Sequence, residues 1–283
     1  MGKQSRRKKQ VREGLPRERG KPSFPRLRYF WVAVVLAAAW MVWVRVSREP
    51  EIRTLSVQVL NTYAHDPGAF TQGLVWHGGA LYESTGQYGH STVRRVDFAT
   101  GKVEQSVSLE STLFGEGLAA DGNRFVQLTW REHTALIYDA ATLEKEDSYR
   151  YDGEGWGLCF DGRRLVMSDG SDELVFRDPR SFGETDRVRV RLDGAPVDRL
   201  NELECVKGSV YANVWRTDRI VRIDPDTGRV MGLIDASGLL SPDDYGSGQV
   251  DVLNGIAYRP ETDTFFLTGK YWPRLFEVRF VEK

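Results

Sequence analysis

From residue 54 onward the chain alternates apolar and polar positions with a period of two, as in Leu55-Ser56-Val57-Gln58-Val59 and Arg219-Ile220-Val221-Arg222-Ile223. Successive strand residues point to opposite faces, so this period predicts half-buried strands. Gly and Asp-Gly turns separate the runs, and no long stretch carries the period of an amphipathic helix. Only 237–245 offers a helical turn or two. Before residue 54 the pattern differs in kind. Tyr29 to Val44 reads YFWVAVVLAAAWMVWV, an unbroken apolar run of sixteen residues. As a helix it spans about 24 Å, a little short of a bilayer core of about 30 Å. Arg28 and Arg45 can snorkel outward, and Tyr29, Trp31 and Trp43 suit the interfaces, so a transmembrane signal anchor is expected over 29–46.

The strand region repeats. An apolar strand, a tight turn and a second strand ending in Ser, Thr or Trp recur in five copies. They read FTQGLVWHGGALYESTG from Phe70, FGEGLAADGNRFVQLTW from Phe114, EGWGLCFDGRRLVMSDG from Glu154, RLNELECVKGSVYANVW from Arg199 and VLNGIAYRPETDTFFLTGK from Val252. Their apolar anchors Leu74, Leu118, Leu158, Leu203 and Ile256 fall 44, 40, 45 and 53 residues apart. In the first four copies a third strand closes on an Asp turn (Asp97, Asp139, Asp178, Asp224), and a fourth strand follows. Four strands in roughly 45 residues make one propeller blade. The last copy stops at its third strand, 275–280, and 55–61 can supply the missing fourth, closing the ring and covering its final edge. The expected fold is all-β, a five-bladed β-propeller over 54–283. A basic tail (1–28), the anchor (29–46) and a linker (47–53) precede it.

The repeat also predicts a site. The first strand of each blade lines the channel, and its start lies beside the end of the second strand, at one mouth. Two residues before each anchor stand Gln72, Glu116, Trp156, Asn201 and Asn254, and four before stand Phe70, Phe114 and Glu154 in the first three copies. The second strands of copies two to five end at Trp130, Gly170, Trp215 and Lys270. Alternation places the −2 and −4 positions on the anchor's face, pointing inward. One mouth then gathers aromatics with a few polar groups, the usual composition of a small-ligand site. Each residue alone has a plainer reading. Tryptophans pack between blades, Glu116 can pair with Lys270 or cap a turn, and Asn201 and Asn254 can bond loop carbonyls. Their convergence weighs more than any one of them.

Charge sharpens the division of the chain. The overall net of −1 hides a tail of +9 over 1–28 and a body of −10. An acidic body argues against nucleic acid as its partner. The basic tail ahead of the apolar run places the N-terminus in the cytoplasm and the body on the exported side of the membrane. A signal peptide cleaved at Ala37-Ala38-Ala39 is the alternative, but it leaves Trp40-Met41-Val42-Trp43 as a new terminus, which favours a retained anchor. Other chemistries find no footing. His65, His77, His90 and His133 lack HExxH spacing, and Gly246-Ser247-Gly248 lacks the flanks of a nucleophile elbow and reads as a loop. The acids between Asp243 and Asp251 lack the spacing of a calcium loop. No metal or cofactor site is expected. Cys159 and Cys205 stand at +1 and +2 from the anchors of adjacent first strands, so alternation turns them opposite ways and predicts that they do not pair.

Several strings together resemble the plant-type glutaminyl-peptide cyclotransferases. They are His65-Asp66-Pro67 with Ala69-Phe70-Thr71-Gln72-Gly73-Leu74, Leu81-Tyr82-Glu83-Ser84-Thr85-Gly86, Phe114-Gly115-Glu116-Gly117-Leu118 and Gly155-Trp156-Gly157-Leu158. Met167-Ser168-Asp169-Gly170-Ser171, Leu200-Asn201-Glu202-Leu203-Glu204, Ala212-Asn213-Val214-Trp215, Leu253-Asn254-Gly255-Ile256 and Leu267-Thr268-Gly269-Lys270-Tyr271-Trp272-Pro273 complete the set, over 55–283. The resemblance implies a five-bladed propeller and an acyltransferase that converts the N-terminal glutamine of peptides to pyroglutamate, releasing ammonia without metal or cofactor. It also implies a pocket of Phe70, Gln72, Phe114, Trp130, Trp156 and Trp215, with Glu116 as proton shuttle and Lys270 and Asn201 as hydrogen-bond donors. An N-terminal anchor is outside that family's core pattern. Two other readings are a calcium-dependent propeller lactonase or hydrolase, ligated by Glu116, Asn201 and Asn254, and a non-catalytic propeller that binds a partner on its face. The first leaves the tryptophans and Lys270 unexplained, and the second predicts a broad patch rather than a narrow mouth. Glu202 is the next acid on the rim, although alternation points it away from the channel.

Overall fold

The period-two segments are strands. The computed structural model describes residues 30, 31, 34, 35, 51–245 and 248–283, and it divides into two compact units, Met1–Pro50 and Glu51–Lys283. In the first unit Phe30, Trp31, Val34 and Val35 are helical and exposed. The basic tail, the rest of the expected anchor and linker residues 47–50 lie outside the described residues, as do Gly246 and Ser247. Among the described residues no helix is long and apolar enough to cross a membrane.

The second unit opens with β1 (Arg53–Ala64) and continues as four-stranded antiparallel meanders. The first holds β2 (Thr71–His77), β3 (Ala80–Thr85), β4 (Thr92–Asp97) and β5 (Lys102–Ser108). The second holds β6 (Gly115–Asp121), β7 (Arg124–Thr129), β8 (Thr134–Asp139) and β9 (Lys145–Arg150). The third holds β10 (Leu158–Phe160), β11 (Leu165–Met167), β12 (Glu173–Arg177) and β13 (Glu184–Arg189), followed by a small ribbon of β14 (Arg191–Leu192) and β15 (Ala195–Pro196). The fourth holds β16 (Leu200–Val206), β17 (Ser209–Val214), β18 (Arg219–Ile223) and β19 (Val230–Asp235). A 3-10 turn at Pro242–Asp244 leads to β20 (Leu253–Arg259), β21 (Thr264–Gly269) and β22 (Arg274–Glu282). β1 completes this last meander. It runs antiparallel to β22, Leu55 opposite Glu282 and Ala64 opposite Arg274, and also pairs in parallel with β19. The missing fourth strand does come from the start of the body. Asp97, Asp139, Asp178 and Asp224 each accept the backbone N–H two residues on, which turns the third strand into the fourth.

The first strands form a closed ring. β2 packs against β6 and β20, β6 against β10, β10 against β16, and β16 against β20. The approach is too close for a side chain. A Cβ on Gly73, Gly117 or Gly157, each one residue before its anchor, would stand 2.5, 2.5 and 2.0 Å from Leu118 N, Leu158 N and Asn201 O of the next meander. The fourth copy carries Glu202 at this position instead. Its carboxylate accepts Leu74 N–H at 3.2 Å and Ile256 N–H at 2.8 Å, tying three meanders together.

Alternation fails at one place in every copy. The pairing register shifts between Thr71 and Gly73, Gly115 and Leu118, Leu200 and Leu203, and Leu253 and Ile256. In the third copy Ser168 spans two residues, its carbonyl accepting Trp156 N–H and its N–H donating to Gly157 O. These bulges correct the expectation drawn from strict alternation. The −2 residues reach the mouth because the bulge re-aims them, while Glu202, at the position of the close-approach glycines, stays outside the cavity lining.

The cysteines are a second correction. Cys159 and Cys205 form a disulfide with their Cα atoms 5.5 Å apart. The meanders stack face to face around the ring, so a face turned toward the next meander meets the opposite face of that neighbour. Gly157 and Cys159, at −1 and +1, look toward the fourth meander, and Cys205 at +2 looks back. Facing opposite ways on successive sheets is the condition for meeting. Removing this link frees a loop of 46 residues' separation, worth up to about 4 kcal/mol in chain entropy. The double variant Cys159→Ala/Cys205→Ala is therefore expected to lose stability of that order in urea unfolding. A midpoint equal to the parent's would show that the link carries none of it.

Candidate active site

A cavity of about 180 Å³ opens where the first strands begin, lined by Phe70, Gln72, Phe114, Glu116, Trp130, Trp156, Asn201, Trp215 and Lys270. These nine are among the twelve residues that the sequence pattern brings to one mouth; Glu154, Gly170 and Asn254 do not line the cavity. Rings build the wall. Phe70 stands edge-on to Phe114 at 6.0 Å, Phe114 meets Trp130 at 5.6 Å, and Trp156 stands edge-on to Trp215 at 5.4 Å. Gly170, expected at the mouth, supplies room rather than contact. It holds φ +84°, and a Cβ there would stand 2.7 Å from the Trp156 ring. Glu154 lies behind the wall and fixes it, accepting both Trp130 Nε1–H at 2.8 Å and Trp156 Nε1–H at 3.1 Å. Asn254 is buried beneath the cavity, donating from Nδ2 to Thr71 O at 2.9 Å and to Gln72 Oε1 at 3.3 Å.

Glu116 is buried against this wall. Gln72 Nε2–H donates to its Oε1 at 2.8 Å, and Ser84 Oγ–H binds its backbone carbonyl. Gln127 in turn donates to Ser84, and Tyr138 OH to Gln127, so a buried chain of polar groups holds the Glu116 backbone. Burial pushes the Glu116 carboxyl well above the usual carboxylate range, and Glu154 and Glu132 add to the rise, outweighing the attraction of Lys270. Lys270 is shifted the other way. Burial pulls its ammonium below the usual lysine value against the pull of Glu116 and Asp251. Its Nζ lies 4.5 Å over the Phe70 ring, and among the described residues it has no ion-pair partner. The Asn201 side chain is likewise uncommitted, whereas the Gln72 amide serves Glu116 and Asn254. The site thus holds one buried acid with a raised proton affinity, two uncommitted donors and an apolar wall.

The residues proposed as calcium ligands are not gathered, since Asn254 lies outside the cavity lining and the Lys270 cation stands inside it. Asp244, from the acidic stretch, pairs with Arg274 at 3.0 Å. The family model described as glutamine cyclotransferase matches residues 32–280. The chain belongs to the glutamine cyclotransferase family. The glutaminyl-peptide cyclotransferase of Arabidopsis thaliana is 43% identical to this cyclotransferase over 233 residues, 80% of this chain and 72% of that one. The crystal structure of Myxococcus xanthus glutaminyl cyclase matches it with a TM-score of 0.77 at 42% identity, covering 82% of this chain and 100% of the other.

The pattern of the repeat overlooks three parts of the cyclotransferase site. Glu154 counts as a mouth acid by position, and its bracing of two indoles is a matter of three-dimensional proximity. Tyr88 and Tyr271 extend the aromatic wall outward, at 5.3 Å from Phe114 and 5.2 Å from Phe70, and neither occupies a repeat position. Ser84 ends a second strand in the expected Ser/Thr slot, but only the structure reveals which carbonyl it holds.

The electrostatics of Glu116 have a measurable consequence. The folded state keeps a proton on this carboxyl where the unfolded chain has released it, so the group lowers stability as pH rises from its ordinary value through its raised one. Each tenfold change in its acidity is worth about 1.4 kcal/mol. Glu116→Gln is expected to unfold at the same or higher urea concentration than the parent, with the gap widening as pH rises above the ordinary glutamate value of about 4.3. A gap that narrows with rising pH would contradict the buried, proton-holding carboxyl.

Proposed function

We propose that this acyltransferase is a five-bladed propeller whose mouth closes N-terminal glutamine into pyroglutamate and releases ammonia. The observation that carries the reading is the single cavity in which Glu116, Lys270 and Asn201 meet five aromatic rings, in a chain of the glutamine cyclotransferase family. The reaction is intramolecular. The α-amine attacks the side-chain carboxamide, a five-membered lactam forms, and the amide nitrogen leaves as ammonia. Holding the bent conformer removes much of the entropic barrier, and the rings of Trp130, Trp156, Trp215, Phe70 and Phe114 supply a slot for it that excludes water. Glu116 takes a proton from the attacking amine and returns one to the leaving nitrogen. A carboxyl raised toward neutrality suits both directions. Gln72 orients that carboxyl, while Lys270 and Asn201, the two donors with no other duty, stabilise the oxyanion. No step in this scheme assigns work to a metal ion.

Glu116→Gln keeps shape and polarity but cannot exchange the proton, so kcat for a Gln-initiated peptide is expected to fall roughly 10²–10⁴-fold with little change in KM. Trp215→Ala removes a wall and is expected to raise KM instead. Exhaustive chelation should leave the rate unchanged, followed as loss of ammonia by mass. Near-parental turnover in folded Glu116→Gln removes it from the mechanism, and activity restored only by one divalent ion points to the metal-dependent reading.

The reading includes location. The apolar run 29–44, the basic tail before it and the disulfide in the body all fit an anchored protein whose catalytic part lies in an oxidising compartment outside the cytoplasm. Full-length protein is expected to resist alkaline carbonate extraction from membranes and to be open to protease added outside. A soluble exported species beginning near residue 40 would establish cleavage in place of anchoring.

A further inference from the structure

A buried charged cluster stands beside the cavity without touching it, and no step of the proposed reaction uses it. Its centre is Glu83, buried in β3. Thr71 Oγ1–H donates to Glu83 Oε1 at 2.6 Å, and Arg94 on β4 grips Oε2 with Nε at 2.9 Å and a terminal nitrogen at 2.7 Å. Arg94 also reaches Asp66 Oδ2 at 2.8 Å. His65 completes the cluster with its Nε2 at 3.1 Å from Glu83 Oε1 and its Nδ1 at 2.6 Å from the backbone carbonyl of Trp272. The Thr268 hydroxyl also lies 3.4 Å from Nδ1, but it donates its proton to Arg274 O.

Both ring nitrogens therefore face acceptors. A backbone carbonyl cannot donate, and the Arg94 contacts hold Glu83 as a carboxylate, its proton affinity depressed by Arg94 and His65 in spite of full burial. A neutral imidazole carries one N–H and would set its bare nitrogen against a lone pair on one side. The doubly protonated ring satisfies both contacts. It also balances the cluster, in which His65 and Arg94 meet Glu83 and Asp66, with Lys270 the nearest further cation along the turn. Burial works against the charge on His65, but the Glu83 carboxylate and the Trp272 carbonyl outweigh it.

The second of these acceptors belongs to the turn that carries Lys270. The same turn is fastened by His65 N–H to Pro273 O at 3.0 Å, Tyr271 N–H to Ala69 O at 2.7 Å and Lys270 N–H to Val252 O at 3.0 Å. Segment 65–70, ending at the wall residue Phe70, and turn 269–273 are thus clamped face to face, and the His65 ring joins this clamp to the buried charges through the Trp272 carbonyl, as Thr71 Oγ1 does through the Gly269 carbonyl at 3.5 Å. We infer that His65 is a charged positioning residue, an imidazolium that holds the Trp272 carbonyl and so fixes the Lys270 ammonium over the cavity. The inference rests on the role given above to Lys270. Because the folded value of His65 is raised, its stabilising effect is complete below about pH 6.5 and is lost as pH rises through that folded value.

The charge can be read without any assay of activity. The whole protein labelled with ¹⁵N-histidine is expected to show both His65 ring nitrogens protonated at about pH 8, where a free imidazole is only about 3% charged. Single replacements of His77, His90 and His133 assign the signal by elimination, so a poorly folding His65 variant does not block the test. A His65 ring with one bare nitrogen at that pH overturns the inference. In kinetics, His65→Gln is expected to lower kcat for a Gln-initiated peptide about tenfold at nearly parental KM, the effect of roughly 1.4 kcal/mol in the barrier. Parental kcat with a lowered melting temperature would assign His65 to the fold alone and overturn its positioning role. Failure of the parent protein to cyclise any such peptide would remove the role of Lys270 while leaving the charge measurement intact.

Discussion

The first strands pack around a closed ring, and at three of its junctions the space between neighbours is smaller than a methyl group. Gly73, Gly117 and Gly157 answer this constraint directly, each lying where a Cβ would enter the backbone of the next meander. The convergence brings one end of every first strand to a common mouth, and so it creates the site. Without it Gln72, Glu116, Trp156 and Asn201 would stand on four unrelated sheets. The fourth copy meets the same constraint by another route. Glu202 replaces the glycine, and its carboxylate takes up Leu74 N–H and Ile256 N–H, donors that a neighbouring strand's backbone would otherwise have to satisfy.

The bulge before each anchor is the second consequence. A strand in strict alternation offers its faces to the two adjacent sheets and offers nothing to the axis. One inserted residue turns a side chain toward the mouth at little cost to the ladder, which resumes at the anchor. Bulges thus convert a packing ring into a ring of functional side chains. The site's polar groups are delivered into a space whose walls are the aromatic rings at strand ends, held by Glu154 and given room by Gly170. Burial then shifts Glu116 and Lys270 in opposite directions, toward the range in which each can exchange a proton.

Much of this was legible in the chain. The repeat of anchor, turn and second strand locates every first strand; counting back from the anchors finds six of the cavity residues, and the ends of the second strands find Trp130, Trp215 and Lys270. The final strand exchange follows from a copy that ends one strand short. What sequence could not supply was geometry between sheets. Alternation describes one sheet, whereas Cys159 and Cys205 meet because two sheets stack face to face, and +1 on one then confronts +2 on the other. It also cannot register a bulge, since the inserted residue leaves the hydrophobic pattern on either side unchanged. The clamp around His65 is equally silent in sequence, because it joins His65 and Trp272 to Glu83 through contacts between strands that no repeat position encodes.

Three buried glutamates in this ring share one side chain and differ in fate, and the supply of donors decides between them. Glu83 receives Thr71, His65 and two nitrogens of Arg94, two of these groups being cations, and it stays ionised in spite of full burial. Glu202 receives two backbone N–H groups and no cation, and burial together with nearby Glu204 raises it well above the ordinary value. Glu116 receives only the Gln72 amide and is likewise raised well above that value by burial. Of the last two, Glu202 has both oxygens engaged by backbone that cannot move, so a change in its protonation would strain the ring. Glu116 has one oxygen without a partner, and that oxygen belongs to the residue that lines the cavity. Of these three glutamates, Glu116 alone is both short of donors and on the cavity wall, the two conditions that the proposed exchange of a proton with a substrate requires.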